Sequence, residues 1–273
     1  MRKLLLGAAG LVALSSVNVF AADLPLRAPA PVEAAFSWTG LYVGGNVGWH
    51  GGSDSISTVS NPVGFPPPIN AKMDALTPTS LKPQGATAGL QIGYNWQIDR
   101  FVVGIESDAN WLEGSASRHL IFPFATGNFV PVGSFMDNSV SSRFIGTFRP
   151  RAGFTVDRLL LYATAGAAFG SIKTIDSFCN NGCPTPAGNS DSATGIATKV
   201  GWTAGAGAEW AITNSWSIKA EYLFVNLGSF STLNLGSANC GAFLIPGSCS
   251  ISTNHKYADN IVRVGANYHF NLW

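Results

Sequence analysis

The chain has 273 residues, of which 11% are charged and 46% hydrophobic, and its formal net charge is +1. This balance excludes the strong positive charge by which proteins bind nucleic acids. After the first twenty residues no apolar run approaches the roughly 18 residues of a membrane-spanning helix, and Gly, Ser, Thr and Asn interrupt the apolar segments in a way that disfavours helices.

The first 21 residues have the three parts of a secretory signal peptide. Arg2 and Lys3 give a positive start, Leu4 to Leu14 an apolar centre, and Ala21 ends a small-x-small cleavage site. An uncleaved anchor is the competing interpretation, but the apolar centre is short for one. Residues 22–37 contain three prolines and no periodic pattern, which predicts an extended periplasmic lead-in.

From residue 38 to 273 we predict a single domain, because eight segments alternate apolar with polar or small residues. That period of two is typical of β-strands. Pro150 cannot donate to a β-ladder, so we expect a bulge there. The predicted strands are Leu41–Trp49, Ala86–Ile98, Phe101–Trp111, Ser142–Phe154, Leu159–Phe169, Lys199–Ile212, Trp216–Phe224 and the tail Asn260–Trp273.

Short turns and long loops alternate strictly between these strands. The turns lie near residues 99–100, 156–158 and 213–215, and the loops near 50–84, 112–139, 170–198 and 225–259. This asymmetry is typical of bacterial outer-membrane barrels. We therefore predict an all-β fold, an eight-stranded antiparallel up-and-down transmembrane β-barrel with short periplasmic turns and four long extracellular loops. The tail is expected to close the ring by pairing with the first strand.

Charged residues fall almost entirely on one face of the predicted strands. A soluble sandwich would turn this face outward, but the ends of the opposite face are rich in Trp, Tyr and Phe, as lipid-facing belts are. We expect Trp38, Trp96, Trp210, Trp216 and Trp273 at the periplasmic rim and Trp49, Trp111 and Trp202 at the outer rim. The predicted lumen charge network is Glu106, Asp108, Arg143, Arg149, Arg151, Lys199, Glu209, Lys219, Glu221 and Arg263.

Four stretches resemble a known family: Ala22-Asp-Leu-Pro, Trp38–Trp49, Arg149–Phe154 with Leu161–Gly166, and Gly265–Phe270. They are similar to the small outer-membrane β-barrel proteins of alphaproteobacteria, often called the porin family, which include opacity-like surface proteins. The resemblance implies location in the outer membrane of a Gram-negative bacterium. It also implies that the last strand carries an aromatic signal for the barrel-assembly machinery, made by Gly265, Tyr268 and either Phe270 or Trp273.

The four cysteines form two close pairs in predicted loops, Cys179 with Cys183 and Cys240 with Cys249. Export favours disulfides. Three pairings are possible, and local pairing is the most economical. A metal site is the competing interpretation, but the spacing lacks a CxxC pair and a nearby His.

We predict no enzyme and no cofactor. Glu106 and Asp108 could form a catalytic pair, but among arginines an ion-pair network is the better interpretation. The stretch Gly201–Gly207 lacks GxGxxG spacing, and no GxSxG elbow occurs.

Three functions stay open. The first is a structural barrel that supports envelope integrity, its lumen plugged by charges and its loops meeting surface ligands. The second is a narrow channel, favouring anions because six inner bases face four inner acids. The third is binding by the loops, where His50, His119 and His255 are expected, since some relatives are associated with haemin. The expected partners are outer-membrane lipid, the assembly machinery and a surface ligand.

Overall fold

The computed structural model describes residues 36–60, 69–123, 133–179, 191–235 and 250–270. The predicted signal peptide and most of the lead-in lie outside these residues. No helix among them is long and apolar enough to cross a membrane. The elements are β1 (Gly40–Ser60), α1 (Ile69–Leu76), β2 (Thr79–Leu81), β3 (Gln84–Ile98), β4 (Phe101–Leu112), β5 (Ser115–Ile121), β6 (Phe135–Val156), β7 (Leu159–Cys179), β8 (Asp191–Ala211), β9 (Trp216–Leu235) and β10 (Ser250–Phe270).

The strands form a closed antiparallel ring in the order β10-β9-β8-β7-β6-β4-β3-β1, and β10 pairs with β1. The closing register runs from Leu41↔Phe270 to Ser60↔Ile251. β2 and β3 pair with β1 in the same antiparallel register, so β2 continues the line of β3 along β1. β5 likewise follows β4 along β6. The ring therefore has eight walls, and the predicted barrel and its closing strand are confirmed.

The ring has two halves whose outer faces differ in polarity. In the half next to the short turns, outward side chains are apolar, as on β4 from Phe101 to Trp111, a length that suits a tilted crossing of the hydrocarbon layer. Beyond the edge at Trp111, many outward positions are polar, as at Ser55 and Lys256, although some apolar side chains such as Ile196 stay exposed. We call these the membrane half and the loop half.

Most strands reach well into segments that the sequence predicted to be loops. β1 runs to Ser60, β7 to Cys179, and β10 starts at Ser250, so the predicted loop boundaries are wrong. The reason is the change in polarity, since Ser, Thr and Asn take many outward positions of the loop-half strands, while apolar residues such as Ile56 and polar residues such as Asp54 share the inside. This pattern is that of a wall facing water.

The bulge expected at Pro150 is also wrong. Pro150 pairs with Ile105 of β4, and the β6–β7 register is the same on both sides of it. The register shifts instead between Ser142 and Phe144. Arg143 is therefore the extra residue of the bulge, and it is exposed.

The tryptophan belts agree with the predicted outward placement at six of the eight positions. Trp96, Trp210 and Trp216 face outward near the short turns, and Trp49, Trp111 and Trp202 do so at the other edge of the membrane half. Trp273 lies outside the described residues. Trp38 is 0% exposed and points into the lumen, so its predicted place in the periplasmic belt is wrong.

Candidate functional site

Glu106, on β4, lies in the lumen of the membrane half, where β6 and β9 place cations around it. Its oxygens accept hydrogen bonds from Arg149 Nη2 at 2.7 Å, Lys219 Nζ at 2.9 Å and Arg151 Nη1 at 3.2 Å. The Tyr42 hydroxyl donates a further bond at 2.8 Å. The Glu106 side chain is 2% exposed, so these donors take the place of water around its charge.

Asp108 and Glu221 share two arginines. Asp108 accepts from Arg149 Nη2 at 2.6 Å and from Arg263 Nη2 at 2.9 Å. Glu221 accepts from Arg149 Nη1 at 3.2 Å and from Arg263 Nε at 2.7 Å. Because these residues lie on β4, β6, β9 and β10, the pairs connect both sides of the lumen.

Glu209, on β8, completes the set of acids. It accepts from Arg151 Nη2 at 3.0 Å, Ser217 Oγ at 2.6 Å and Asn267 Nδ2 at 2.7 Å. The His269 ring lies 3.4 Å away through Nε2. Every acid of the cluster thus has a cationic partner and further polar contacts.

The assembled cluster, which we call the lumen network, contains four acids and four bases. Arg143 is not a member, because the bulge turns it outward. Lys199 is not a member either, since its Nζ lies over the ring of Phe230, 5.3 Å from the centroid. Within the network the predicted excess of bases is therefore absent. The members are Glu106, Asp108, Glu209, Glu221, Arg149, Arg151, Lys219 and Arg263.

Neutral groups that the sequence interpretation left out extend the network. The Tyr162 hydroxyl donates to Glu221 Oε1 at 3.1 Å. Asn46 Nδ2 donates to Gln91 Oε1 at 2.6 Å, and Gln91 Nε2 donates to Asn267 Oδ1 at 2.8 Å. All of them occupy inward-facing positions of their strands. The alternation in the sequence could therefore have identified them as residues of the lumen.

An aromatic plug closes the lumen next to the short turns. Trp38 packs edge-to-face on Phe36, with ring centroids 4.7 Å apart, and on His269 at 5.6 Å. Its main-chain N–H donates to Gln97 Oε1 at 2.8 Å, and the buried Leu160 belongs to the same apolar cluster. The segment before β1 therefore folds into the mouth of the barrel.

Beyond the network, an apolar layer lies in the lumen of the loop half, beside buried polar side chains such as Asp54, Asp176 and His255. Its buried members come from β1, β2, β4, β6, β7, β9 and β10, and they meet in the interior of the barrel. The layer contains Ile56, Leu81, Leu112, Val140, Ile145, Ala168, Ile172, Leu223, Val225, Leu227, Phe230, Tyr257 and Ile261.

Two of the histidines expected in loops lie inside the barrel instead. His50 contacts Asp259 Oδ2 through Nδ1 at 3.0 Å and the carbonyl of Glu113 through Nε2 at 2.6 Å. His255 is also buried. His119 alone is substantially exposed, and it pairs with Asp137.

The predicted tail residues lie on the closing strand. Tyr268 and Phe270 face outward and pack edge-to-face at 5.1 Å, and Tyr268 also packs on Trp216 at 5.2 Å. Gly265 sits on the inner side against Asn46. Trp273 is outside the described residues.

Of the cysteines, Cys179 ends β7 and is not a free thiol. Cys183, Cys240 and Cys249 lie outside the described residues. No cluster of three or more His, Cys, Asp or Glu side chains suited to a metal ion occurs in the part of the chain that the structure describes.

A family model described as "Outer membrane protein beta-barrel domain" matches residues 9–270. The 31 kDa outer-membrane immunogenic protein of Brucella melitensis is 33% identical over 270 residues, which cover 96% of this chain and 98% of that protein. The 22 kDa outer membrane protein of Rhizobium leguminosarum is 28% identical over 202 residues, or 73% and 69% of the two chains.

Solved structures give weaker likenesses. Neisserial surface protein A is 12% identical with a TM-score of 0.39, covering 85% of this chain and 98% of its own. OprG of Pseudomonas aeruginosa is 9% identical with a TM-score of 0.44, covering 85% and 97%. The ring of eight walls, the family match and the near-complete alignment to the Brucella protein together show that this chain belongs to the outer membrane protein beta-barrel domain family, among the small outer-membrane barrels of alphaproteobacteria.

Proposed function

We propose that the protein is a structural outer-membrane barrel that contributes to envelope integrity and has a closed lumen. The observation that carries this proposal is the lumen network around Glu106. Its eight charged side chains are all buried, and their charges balance. In an eight-stranded barrel, inward side chains can fill the interior, and a balanced network both fills it and joins opposite walls.

The order of the layers along the axis supports the same proposal over a channel. An ion would meet the aromatic plug at Trp38, then the network, then the apolar layer of the loop half. An apolar constriction opposes the passage of a hydrated ion. The balance of four acids and four bases also removes the argument for anion selectivity. We infer no catalytic role, because the Glu106 and Asp108 carboxylates are both occupied by arginine.

Planar-bilayer recordings test the closed lumen. Refolded wild-type protein is expected to give no reproducible single-channel steps, while a heat-modifiability gel of the same sample shows a folded barrel. A general porin recorded in the same bilayers shows that the assay detects channels. Reproducible steps from the folded fraction, absent after the sample is boiled, would overturn the proposal.

Contact with molecules outside the cell is a second candidate function. The loop half carries the wall of the barrel beyond the membrane band, and the Brucella relative is named as immunogenic. We propose that the loop half and its loops meet extracellular partners. The haemin alternative receives less support, because both ring nitrogens of His50 and of His255 already have partners.

A further inference from the structure

The wall of the loop half divides into two sheets. β3 and β4 stop pairing beyond Thr87↔Leu112, where β4 ends and β5 takes its place along β6. β8 and β9 stop pairing beyond Trp202↔Asn226, although both strands continue. Sheet A contains β5 and the loop-half parts of β6, β7 and β8. Sheet B contains β2 and the loop-half parts of β9, β10 and β1. We call the gap between residues 191–201 of β8 and 227–235 of β9 the seam.

The seam has a local cause on β9. Gly228 has a φ of +74°, and the register between β9 and β10 shifts between Tyr257 and Ala258. A bulge of this kind bends its strand, so β9 leaves the line of β8 just beyond Asn226. No ladder pair joins the two described strand segments across the seam.

The opposite gap, between β2 and β5, is bridged. Arg118 of β5 donates to the carbonyls of Leu76 and Thr77, both at 3.2 Å, at the end of α1. α1 is itself held to the end of β1, because Asp74 accepts hydrogen bonds from the main-chain N–H and the hydroxyl of Ser60. Among the described residues, no side chain of the facing β8 and β9 segments bonds to the main chain across the seam in this way, and the bonds that join the two sheets there run between side chains.

Side chains hold the seam together from inside. Asp176 of sheet A accepts at Oδ2 from Thr232 Oγ1 at 2.6 Å and contacts His255 Nε2 at 3.0 Å, both in sheet B. His255 Nδ1 contacts Asp54 at 2.7 Å, and its ring stacks on Phe230 with centroids 4.9 Å apart. We call Asp176, Thr232 and His255 the latch.

We propose that the seam is a docking site for an extended polypeptide strand, which pairs with the main-chain edge of β8 when the two sheets part. Parting the sheets would break the latch and separate the apolar side chains that pack between them, such as Ile172 and Phe230, but it would break no ladder pair, since none crosses the seam. An added strand supplies donors and acceptors at the spacing of a sheet edge. This inference goes beyond the closed-barrel role and does not depend on it.

The outer face of the β8 edge defines the partner. Ile196 is 71% exposed and Val200 is 76% exposed, on the same face as Thr194 and Thr198. Proteins usually protect such an edge with charges, but these outward positions are uncharged. A neutral segment with aliphatic side chains at alternate positions would pack its own outward residues against them.

A disulfide across the seam gives the test. A Cβ built on Gly195 would lie 4.0 Å from the Cβ of Thr232, within the disulfide range of about 3.5–4.5 Å. It would also lie 2.9 Å from Thr174 Oγ1, so the Thr174 side chain has to shift to admit it. In the variant Gly195→Cys/Thr232→Cys, oxidation locks the seam and reduction opens it. The probe is a fluorescent peptide with the sequence of residues 226–235, the part of β9 that faces β8 across the seam. We expect the reduced variant to bind it at least tenfold more tightly than the oxidised variant.

The controls separate the seam from other effects. Wild type with and without the same reductant accounts for the native cysteines. Thr232→Val removes the hydrogen bond to Asp176 without adding a thiol, and it should also strengthen binding. Hydrogen exchange should slow at β8 amides 194–200 when peptide binds. Equal binding by the oxidised and reduced variants, no binding by either opened variant, or protection confined to other strands would each overturn the proposal.

The charge on His255 makes the latch depend on pH. Burial opposes the charged ring, but the hydrogen bonds and charges of Asp176 and Asp54 outweigh it and raise its pKa to about 9. The other ionisable groups nearby are Lys199, across the Phe230 ring, and Tyr257 on the same strand.

The stabilisation is therefore complete below the unfolded pKa of about 6.5 and is lost as the pH rises through 9. Peptide binding to wild type should strengthen several-fold between pH 7 and pH 10. His255→Gln should remove most of that pH dependence, whereas His119→Gln, which alters an exposed pair within sheet A, should leave it unchanged. An unaltered pH profile in His255→Gln would contradict the role of the latch.

Discussion

Glu106→Gln is expected to destabilise the folded barrel by about 3–5 kcal/mol, the usual cost of breaking a buried ion pair from one side. The substitution preserves the shape of the side chain but removes the charge that Arg149, Arg151 and Lys219 surround. The Nε2 of the introduced amide is also a donor, and it would face the N–H groups that donate to Glu106 in the wild type. Urea unfolding in lipid vesicles, followed by tryptophan fluorescence and by heat modifiability, measures the loss.

Two further variants show whether the effect comes from the network. Arg143→Gln also removes a charge, but at an exposed position outside the network, so it should change the free energy of unfolding by less than about 0.5 kcal/mol. Arg149 and Arg151 keep other acidic partners, whereas the ion pair of Lys219 is with Glu106. Adding Lys219→Met to Glu106→Gln therefore removes the cation that the first change leaves without its ion-pair partner and should recover part of the loss. If Glu106→Gln unfolded like Arg143→Gln, the network would not stabilise the barrel in the way proposed.

The membrane half could be predicted closely because two constraints act there together. Lipid requires apolar residues outside, and the narrow lumen admits polar residues inside, so alternation alone places Glu106 and Arg149 on the inner face. Alternation cannot reveal which partners meet. The contact between Glu106 and Lys219 links residues 113 apart in the chain, and it depends on the register of the closed ring.

The loop half could not be predicted in the same way, because its outer face is no longer consistently apolar. Ser55 and Ser57 point outward and Ile56 inward, as in a strand whose outer face meets water. Without an apolar outer face, such a stretch resembles a loop in the sequence. The same error placed His50 and His255 among loop histidines, although the extended strands carry both into the interior.

Two single-residue errors have local causes. Arg143 has the parity of an inner residue in the sequence, but one inserted residue shifts that parity, and a bulge leaves no clear mark in composition. Trp38 precedes the first strand, where the alternation no longer applies. The sequence pattern therefore did not show whether its side chain faces the membrane or fills the mouth of the barrel. Its contacts with Phe36 and His269 decide the matter.

Deleting Val264–Trp273 is expected to abolish assembly in the membrane while leaving export intact. The deleted residues pair with β1 from Val47↔Val264 to Leu41↔Phe270 and with β9 from Ala220 to Trp216. Without them both strands expose unpaired main-chain groups within the hydrocarbon layer, and each such group costs several kcal/mol there. Cell fractionation, protease resistance and a heat-modifiability gel measure the outcome.

A point variant distinguishes loss of closure from loss of a recognition signal. Phe270→Ala retains every ladder pair but removes an outward aromatic of the proposed assembly signal. It should refold into detergent micelles in vitro like the wild type and assemble more slowly in cells, because only in cells does the assembly machinery act. The truncated chain should fail in both settings, since its defect is an open ring. A protease-resistant barrel formed by the truncated chain would show that β10 is dispensable for closure and would refute the assignment of the tail.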